Sequence, residues 1–205
     1  LVVQGKLPVR RYVEMLRFQD CIYPANYVKM RCVENHDQRR IMKLTPYPNR
    51  ARAWTAFQAF NKGAFLMYGG QESLAEHTPS LFEIDKVAWK DYALQPLLTK
   101  LANLKKSPAQ QEGQFTIIKA EPAIQAVWNH PDGSQYGIFN VTGSQGFIGV
   151  HLPDGTYVDE LSDAEVHVKG GKLMAPESAL ILSCTEPLMF NPAYCELLDY
   201  YVAAA

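Results

Sequence analysis

The sequence predicts two regions of different class: an α/β region over residues 1–107 and a small all-β domain over 108–187, with a tail, 188–205, that carries a helical pattern. Three observations carry this reading. Amphipathic stripes alternate with short apolar runs through the first half. A leucine-striped helix closes that half before Ser107-Pro108. Beyond that point, β-rich runs follow one another at short intervals with turn residues between them.

Taken in order, Leu7, Val9, Tyr12, Val13 and Leu16 predict a helix from about Pro8 to Arg17, broken by Asp20-Cys21-Ile22-Tyr23-Pro24-Ala25-Asn26. Tyr27 to Val33 reads as a strand ending in Glu34-Asn35-His36-Asp37. Ala53, Ala56, Phe57 and Phe60 recur at helical spacing between Pro48 and Gly63. Ala64-Phe65-Leu66-Met67-Tyr68 is a continuous apolar run of the kind found in strands buried on both faces. A loop from Gly69 to about Asp91 leads to the stripe Leu94, Leu97, Leu98, Leu101, Leu104, where Pro96 is tolerated in the first turn. This alternation is the grammar of a parallel sheet.

The β-rich runs are Gln114–Ile118, Ile124–Trp128, Tyr136–Val141, Phe147–Leu152, Thr156–Leu161, Glu165–Val168 and Ala179–Ser183. Pro131-Asp132-Gly133-Ser134, Pro153-Asp154-Gly155-Thr156 and Gly170-Gly171 punctuate them. They predict a small antiparallel sandwich or barrel. In the tail, Asn191 to Val202 reads as a final helix.

Composition narrows the partners. Twenty basic residues against 21 acidic ones leave a net charge of -1, so there is no strong field for nucleic acid or anionic lipid. No apolar run reaches the roughly 18 residues of a membrane span. Cys21, Cys32, Cys184 and Cys195 form no CxxC pair, which argues against a zinc site and for buried free thiols. That thiol usage points toward a reducing, cytoplasmic setting, although localisation is otherwise open. The chain opens on Leu1, and any targeting segment would lie upstream.

The residues with chemistry to offer are Asn35, His36 and Asp37, at the expected C-terminal end of a parallel strand, where such folds gather their active sites. A His-Asp pair there can hydrogen-bond sugar hydroxyls, and the carboxylate can stabilise developing positive charge. A polar strand end with Asp capping the next turn is the competing explanation.

Context weighs on the choice. Val33-Glu34-Asn35-His36-Asp37 resembles the conserved region that closes the seventh barrel strand in the α-amylase family (glycoside hydrolase family 13). Tyr68-Gly69-Gly70-Gln71-Glu72 is similar to the family's Tyr-Tyr-Gly-Gln-Glu run after strand eight. Leu81-Phe82-Glu83-Ile84-Asp85-Lys86-Val87-Ala88-Trp89 and Leu152-Pro153-Asp154-Gly155-Thr156-Tyr157-Val158-Asp159-Glu160-Leu161 follow in the family's order, so the resemblance runs from about Tyr27 to Leu182. It implies the C-terminal part of a (β/α)8 TIM barrel followed by a small antiparallel β-sandwich. It also implies a retaining hydrolase of α-glucosidic bonds, acting on an α-glucan, starch or maltooligosaccharide substrate.

In that resemblance Asp37 matches the third catalytic carboxylate, which stabilises the transition state, and His36 the histidine that binds sugar at the cleavage subsite. Asn35, Glu72 and His77 are further candidates for substrate contact; a structural bond is the alternative for Glu72, and a solvated loop histidine for His77. The family's nucleophile, in a Gly-x-Arg-x-Asp pattern, and its general acid have no counterpart here. The resemblance places them in a missing N-terminal barrel segment, so the chain alone is expected to be inactive. No cofactor is expected in this chain; calcium, which family members bind, is left open for a full-length protein, its usual ligands lying upstream.

Gly69 departs from the family's Tyr and removes aromatic surface near the cleft. Arg39 and Arg40 are candidates to brace Asp37 or neighbouring loops, with surface charge the alternative. Trp54 is expected in the core, Trp89 as an anchor for the last helix, and Trp128 in the sandwich core in preference to stacking on sugar. His130, His151 and His167 lack metal spacing. Two rival functions are a non-catalytic family member used for binding or assembly, and a free-standing carbohydrate-binding module. The second calls for several exposed aromatics on one sheet face.

Overall fold

The computed structural model describes residues 1–24 and 26–189. The chain begins with helix α1 (Val9–Ile22), which buries Val9, Val13 and Leu16, an i, i+4, i+7 stripe. It runs past Asp20-Cys21, where the sequence predicted a break. Polar residues are tolerated on an exposed helix end, and only Pro24, which holds Tyr23 extended, stops it.

Strands β1 (Met30–Arg31) and β2 (Ala64–Phe65) pair in parallel, Met30 with Ala64 and Arg31 with Phe65. Helices α2 (Ile41–Leu44) and α3 (Pro48–Phe60) form the crossover that parallel pairing requires. Gly63 is obligatory at the entry to β2: its φ is +106°, and a Cβ would sit 2.1 Å from the Lys29 carbonyl oxygen. Both strands are shorter than expected, and the run from Ala64 to Tyr68 is not buried on both faces, since Met67 is exposed and Phe65, Leu66 and Tyr68 half-buried. Each strand has one ladder partner among the described residues, so the extended chain beyond the pairing has nothing to hold it in register.

α3 is buried around its whole circumference, although the sequence showed one apolar face. Its partners explain this. α1 packs on one side through the Tyr12 ring against Trp54 and Phe57, and α4 (Gln95–Leu104) packs on another. The remaining side meets an antiparallel sheet.

A short helix α5 (Pro108–Glu112) opens the second region, with Ser107 capping it by accepting the Gln110 N–H and Pro108 in its first turn. The principal sheet has the order β10 (Ala179–Cys184), β5 (Gly133–Phe139), β4 (Ile124–His130), β3 (Gln114–Lys119). Alternation sorts its side chains. Ile124, Ala126, Trp128, Phe139 and Ile181 face α3, while Val127, Tyr136, Ile138 and Leu182 face the other way. The second layer consists of β6 (Phe147–Gly149) with β9 (Lys172–Met174) and β7 (Gly155–Val158) with β8 (Glu165–Val168). β9 and α5 have no counterpart among the runs read from sequence. Ile148, Val150, Leu173 and Val168 close that core.

The larger core crosses residue 107 without a break, from Val9 in α1 to Ile181 in β10. Trp128 belongs to this seam and not to the sandwich core where the sequence placed it: its Nε1–H donates to the Phe60 carbonyl at 2.6 Å. Phe139 packs on both Phe57 and Phe60, with centroids at 5.3 Å. Cys32 and Cys184 are half-buried, but Cys21 is exposed near the end of α1, against the expectation of buried thiols. The helical pattern in 191–202, and Cys195, lie outside the described residues. No described helix is long and apolar enough to cross a membrane.

Candidate functional site

The site is built on two loops that leave the C-terminal ends of β1 and β2. The first carries Asn35, His36 and Asp37. The Asn35 Oδ1 accepts the Asp37 N–H at 2.9 Å, and its carbonyl accepts the Gln38 N–H at 3.2 Å, an Asx turn. The turn presents its next two side chains to solvent. His36 Nε2 lies 3.2 Å from Asp37 Oδ2, and both side chains are more than half exposed.

Beneath the turn is a group the sequence did not single out. Glu34 is completely buried and ion-paired with Arg40, Oε1 to Nη1 at 2.7 Å, while its Oε2 accepts the Ile41 N–H at 2.7 Å. Burial pushes the Glu34 carboxyl up, and the Ile41 N–H and the Arg40 guanidinium pull it back. A carboxylate inside an apolar strand end must be paired, and an arginine six residues on was the signal available.

Arg40 also fastens the second loop. Its Nε donates to the His77 carbonyl at 2.9 Å, its Nη2 to the Gly69 carbonyl at 2.8 Å, and its guanidinium lies 4.2 Å from the Tyr68 ring centroid. Of the two bracing options, Arg40 thus takes the neighbouring loops. Arg39 is exposed.

The second loop is internally tied. Glu72 Oε2 accepts the Gly70 N–H at 2.9 Å, and its carbonyl accepts the Leu94 N–H. The buried Gln71 donates to Thr55 Oγ1 of α3 at 3.2 Å. His77 Nε2 lies 2.7 Å from Asp85 Oδ2. The Ser80 N–H and the His77 ring together hold the Asp85 carboxyl below its ordinary value. His77 and Arg39, with Lys43, Glu76 and Thr78, line an open cleft of about 460 Å³. Trp89 stacks on Tyr92 and remains half exposed. A Cβ added at Gly69 would stand 3.9 Å from Trp89, so an indole approaches where the expected tyrosine is missing.

The structure therefore brings Asn35, His36 and Asp37 together on one turn and joins that turn to the loop of Glu72 and His77 through one guanidinium. The side chains of Asp37, Glu72 and His77 each bond within their own loop. A fixed, exposed carboxylate beside an imidazole can bind hydroxyls and stabilise a cation. Retaining glycoside hydrolysis needs two further carboxyls about 5–5.5 Å apart, and Glu34, Glu72 and Asp85 are each committed to bonds within these loops. Among the described residues no group of three or more His, Cys, Asp or Glu is placed to hold a metal ion.

Comparisons with known proteins point one way. A family profile described as bacterial α-amylase C-terminal domain matches residues 115–182. The structure of an α-amylase from Lactobacillus plantarum is 31% identical over 89% of this chain and 44% of its own, with a TM-score of 0.80. A noncanonic maltogenic α-amylase, AmyB from Thermotoga neapolitana, is 26% identical over 89% of this chain and 47% of its own, TM-score 0.77. AmyP, solved in complex with maltose, shares the fold at 17% identity and a TM-score of 0.71, over 93% of this chain and 49% of its own. The chain thus spans less than half the length of each of these structures. No curated protein matches it.

Proposed function

The chain belongs to the α-amylase family, and from that premise we propose that it is the C-terminal part of a retaining hydrolase of α-glucosidic bonds. Asp37 stabilises the oxocarbenium-like transition state, and His36 hydrogen-bonds the sugar at the cleavage subsite. The observation that carries this reading is the Asx turn, which holds both side chains at the end of a parallel strand over a buried ion pair. A carboxylate held in place before reaction stabilises charge without reorganising, which is how a group that forms no bond lowers a barrier.

The nucleophile and the general acid come from a preceding barrel segment. β1, α3 and β2 form one βαβ unit of that barrel, and the rest of it would pair with the open strand edges. The outer face of α1, where Met15, Phe18 and Ile22 are exposed, supports this: a helix apolar on two sides wants two neighbours. The antiparallel sheet and the two ribbons form the β-sandwich that packs against it. The substrate is an α-glucan or maltooligosaccharide, a class in keeping with the maltose bound by AmyP. Calcium, where the parent binds it, is held by residues outside those described.

The test is maltooligosaccharide cleavage by the full-length parent beside its Asp37→Asn variant. Cleavage by the parent, slowed in the variant by about 10³-fold or more, is the expected result, of the size seen when a preorganised electrostatic contact is lost. A parent inert on every α-glucoside would overturn the reading and leave Asp37 as a turn cap.

A further inference from the structure

A second cleft, of about 510 Å³, opens on the seam between the two regions and contains none of Asn35, His36, Asp37, Glu72 or His77. One wall is the start of α3 with Tyr47, Asn49 and Arg50. The other is the 143–146 turn with Met174 and Glu177.

Its walls are held by local contacts. The Arg50 guanidinium lies 4.5 Å from the Tyr47 ring centroid. It rests against Gly143, where a Cβ would stand 2.9 Å from Nη2 and where φ is +76°. One face of the tyrosine is thereby backed by a cation, yet the residue stays 56% exposed. The buried Asn140 shapes the floor: its Nδ2 donates to the Ser144 and Pro176 carbonyls, both at 2.8 Å, and its Oδ1 accepts the Ser144 N–H.

Across the cleft, the lining Met174 pairs in register with Phe147, which shares its face of the ribbon at the rim, next to the lining Gly146. Phe147 is 70% exposed and Met174 56%. Between these walls the Asn49 amide donates to Glu177 Oε2 at 3.3 Å.

We infer that this cleft is a second glucan-binding site, separate from the turn that carries Asp37. A pyranose ring has an apolar C–H face and a rim of hydroxyls. An exposed, preoriented aromatic ring suits the first, and a paired amide and carboxylate, both able to exchange bonds with hydroxyls, suit the second. The charges of Arg50 and Glu177 offset one another, which fits a neutral ligand. The identity of that ligand as an α-glucan rests on the function proposed above.

The experiment uses the full-length parent with Tyr47→Ala and, separately, Phe147→Ala; both side chains are exposed. Retardation in gels containing soluble starch reads affinity, and kcat/KM on a short maltooligosaccharide reads the cleavage site. The expected result is about tenfold weaker starch binding for Tyr47→Ala, on the scale of one lost stacking contact. A smaller loss is expected for Phe147→Ala, and an unchanged kcat/KM on the short substrate for both. Unchanged starch retardation in both variants, from a parent that cleaves, overturns the second site and leaves the proposed function standing. A lowered melting temperature with unchanged retardation would mean that these side chains serve the fold and not a ligand, and also overturns it. Tyr47-dependent retardation in a parent that cleaves nothing upholds the site and overturns the activity.

Discussion

The two regions of the molecule treat their exposed edges and faces differently. The β3–β5, β10 sheet is covered on both faces, by α3 on one and by the β6–β9 and β7–β8 ribbons on the other. The β1–β2 pair is two residues wide, with one ladder between its strands. Among the described residues, all but Phe147, Val158, Met174 and Met189 of the exposed large apolar side chains lie before Ser107. Among the described residues, three of the four buried polar atoms without a partner, Arg17 Nη1, Asn61 Nδ2 and Gln71 Oε1, belong to the first region, and one, Gln110 Oε1, to the helix that opens the second. The second region covers both faces of its main sheet; the first leaves more apolar surface exposed and more buried polar atoms without a partner. The candidate catalytic turn sits in the less satisfied region, held by the Glu34–Arg40 pair.

The largest effect should come from that pair. Arg40→Met leaves the Glu34 carboxylate buried with only the Ile41 N–H, and is expected to cost about 3–5 kcal/mol in urea unfolding of the chain. It also frees the Gly69 and His77 carbonyls from their common anchor. If the double replacement Glu34→Leu with Arg40→Met is no more stable than Arg40→Met alone, the uncompensated charge is not the cause. Next comes the seam. Trp128→Phe removes the bond to the Phe60 carbonyl, and a loss of about 1–3 kcal/mol is expected. Coincident transitions followed by the fluorescence of Trp54 and Trp89, both in the first region, and by far-UV circular dichroism in this variant would show that the two regions still melt together; separated ones would break the seam as their coupling.

The smallest effect is in pH dependence. Lys105, half-buried with its ammonium on the Asn61 and Gly63 carbonyls, has its pKa pushed down to about 8, by burial first and the nearby Arg31 second. The unfolded chain, with a lysine near 10.5, therefore binds more protons than the folded one between those values. Stability from this group rises as pH climbs from 8 toward 10.5 and is lost again as pH falls through 8. Comparison with Lys105→Met cancels the opposite drift of Cys32, Cys184, Tyr12 and Tyr136, whose pKa values burial raises. Equal slopes for the two proteins between pH 8 and 9.5 would remove Lys105 from the comparison.

Much of this was legible in the chain. The β-rich run from Ile124 to Trp128 indicated a strand, and Glu165–Val168 falls where the pattern placed it. β9 escaped because three residues, Lys172–Met174, are too few for a periodicity, although Gly170-Gly171 marked its turn. The stripe of Ala53, Ala56, Phe57 and Phe60 showed one face of α3 and hid the others, because alanine does not declare burial by hydrophobicity. At the site, His36 and Asp37 stood out as residue types with chemistry and Arg40 as a brace for neighbouring loops, whereas Glu34 did not: its role depends on burial against that arginine, which residue type alone does not express.

The indole of Trp128 closes the last carbonyl of α3 from 68 residues further along the chain. During synthesis at about 5–20 residues per second, that partner emerges about 3–14 s after the helix it completes. For that interval Phe57 and Phe60 have no Phe139 to pack against, and the nascent α3 offers an aromatic face to whatever the ribosome exit holds nearby. The order of translation thus makes the β domain the late half of a shared core, and leaves the aromatic face of α3 uncovered until that half arrives.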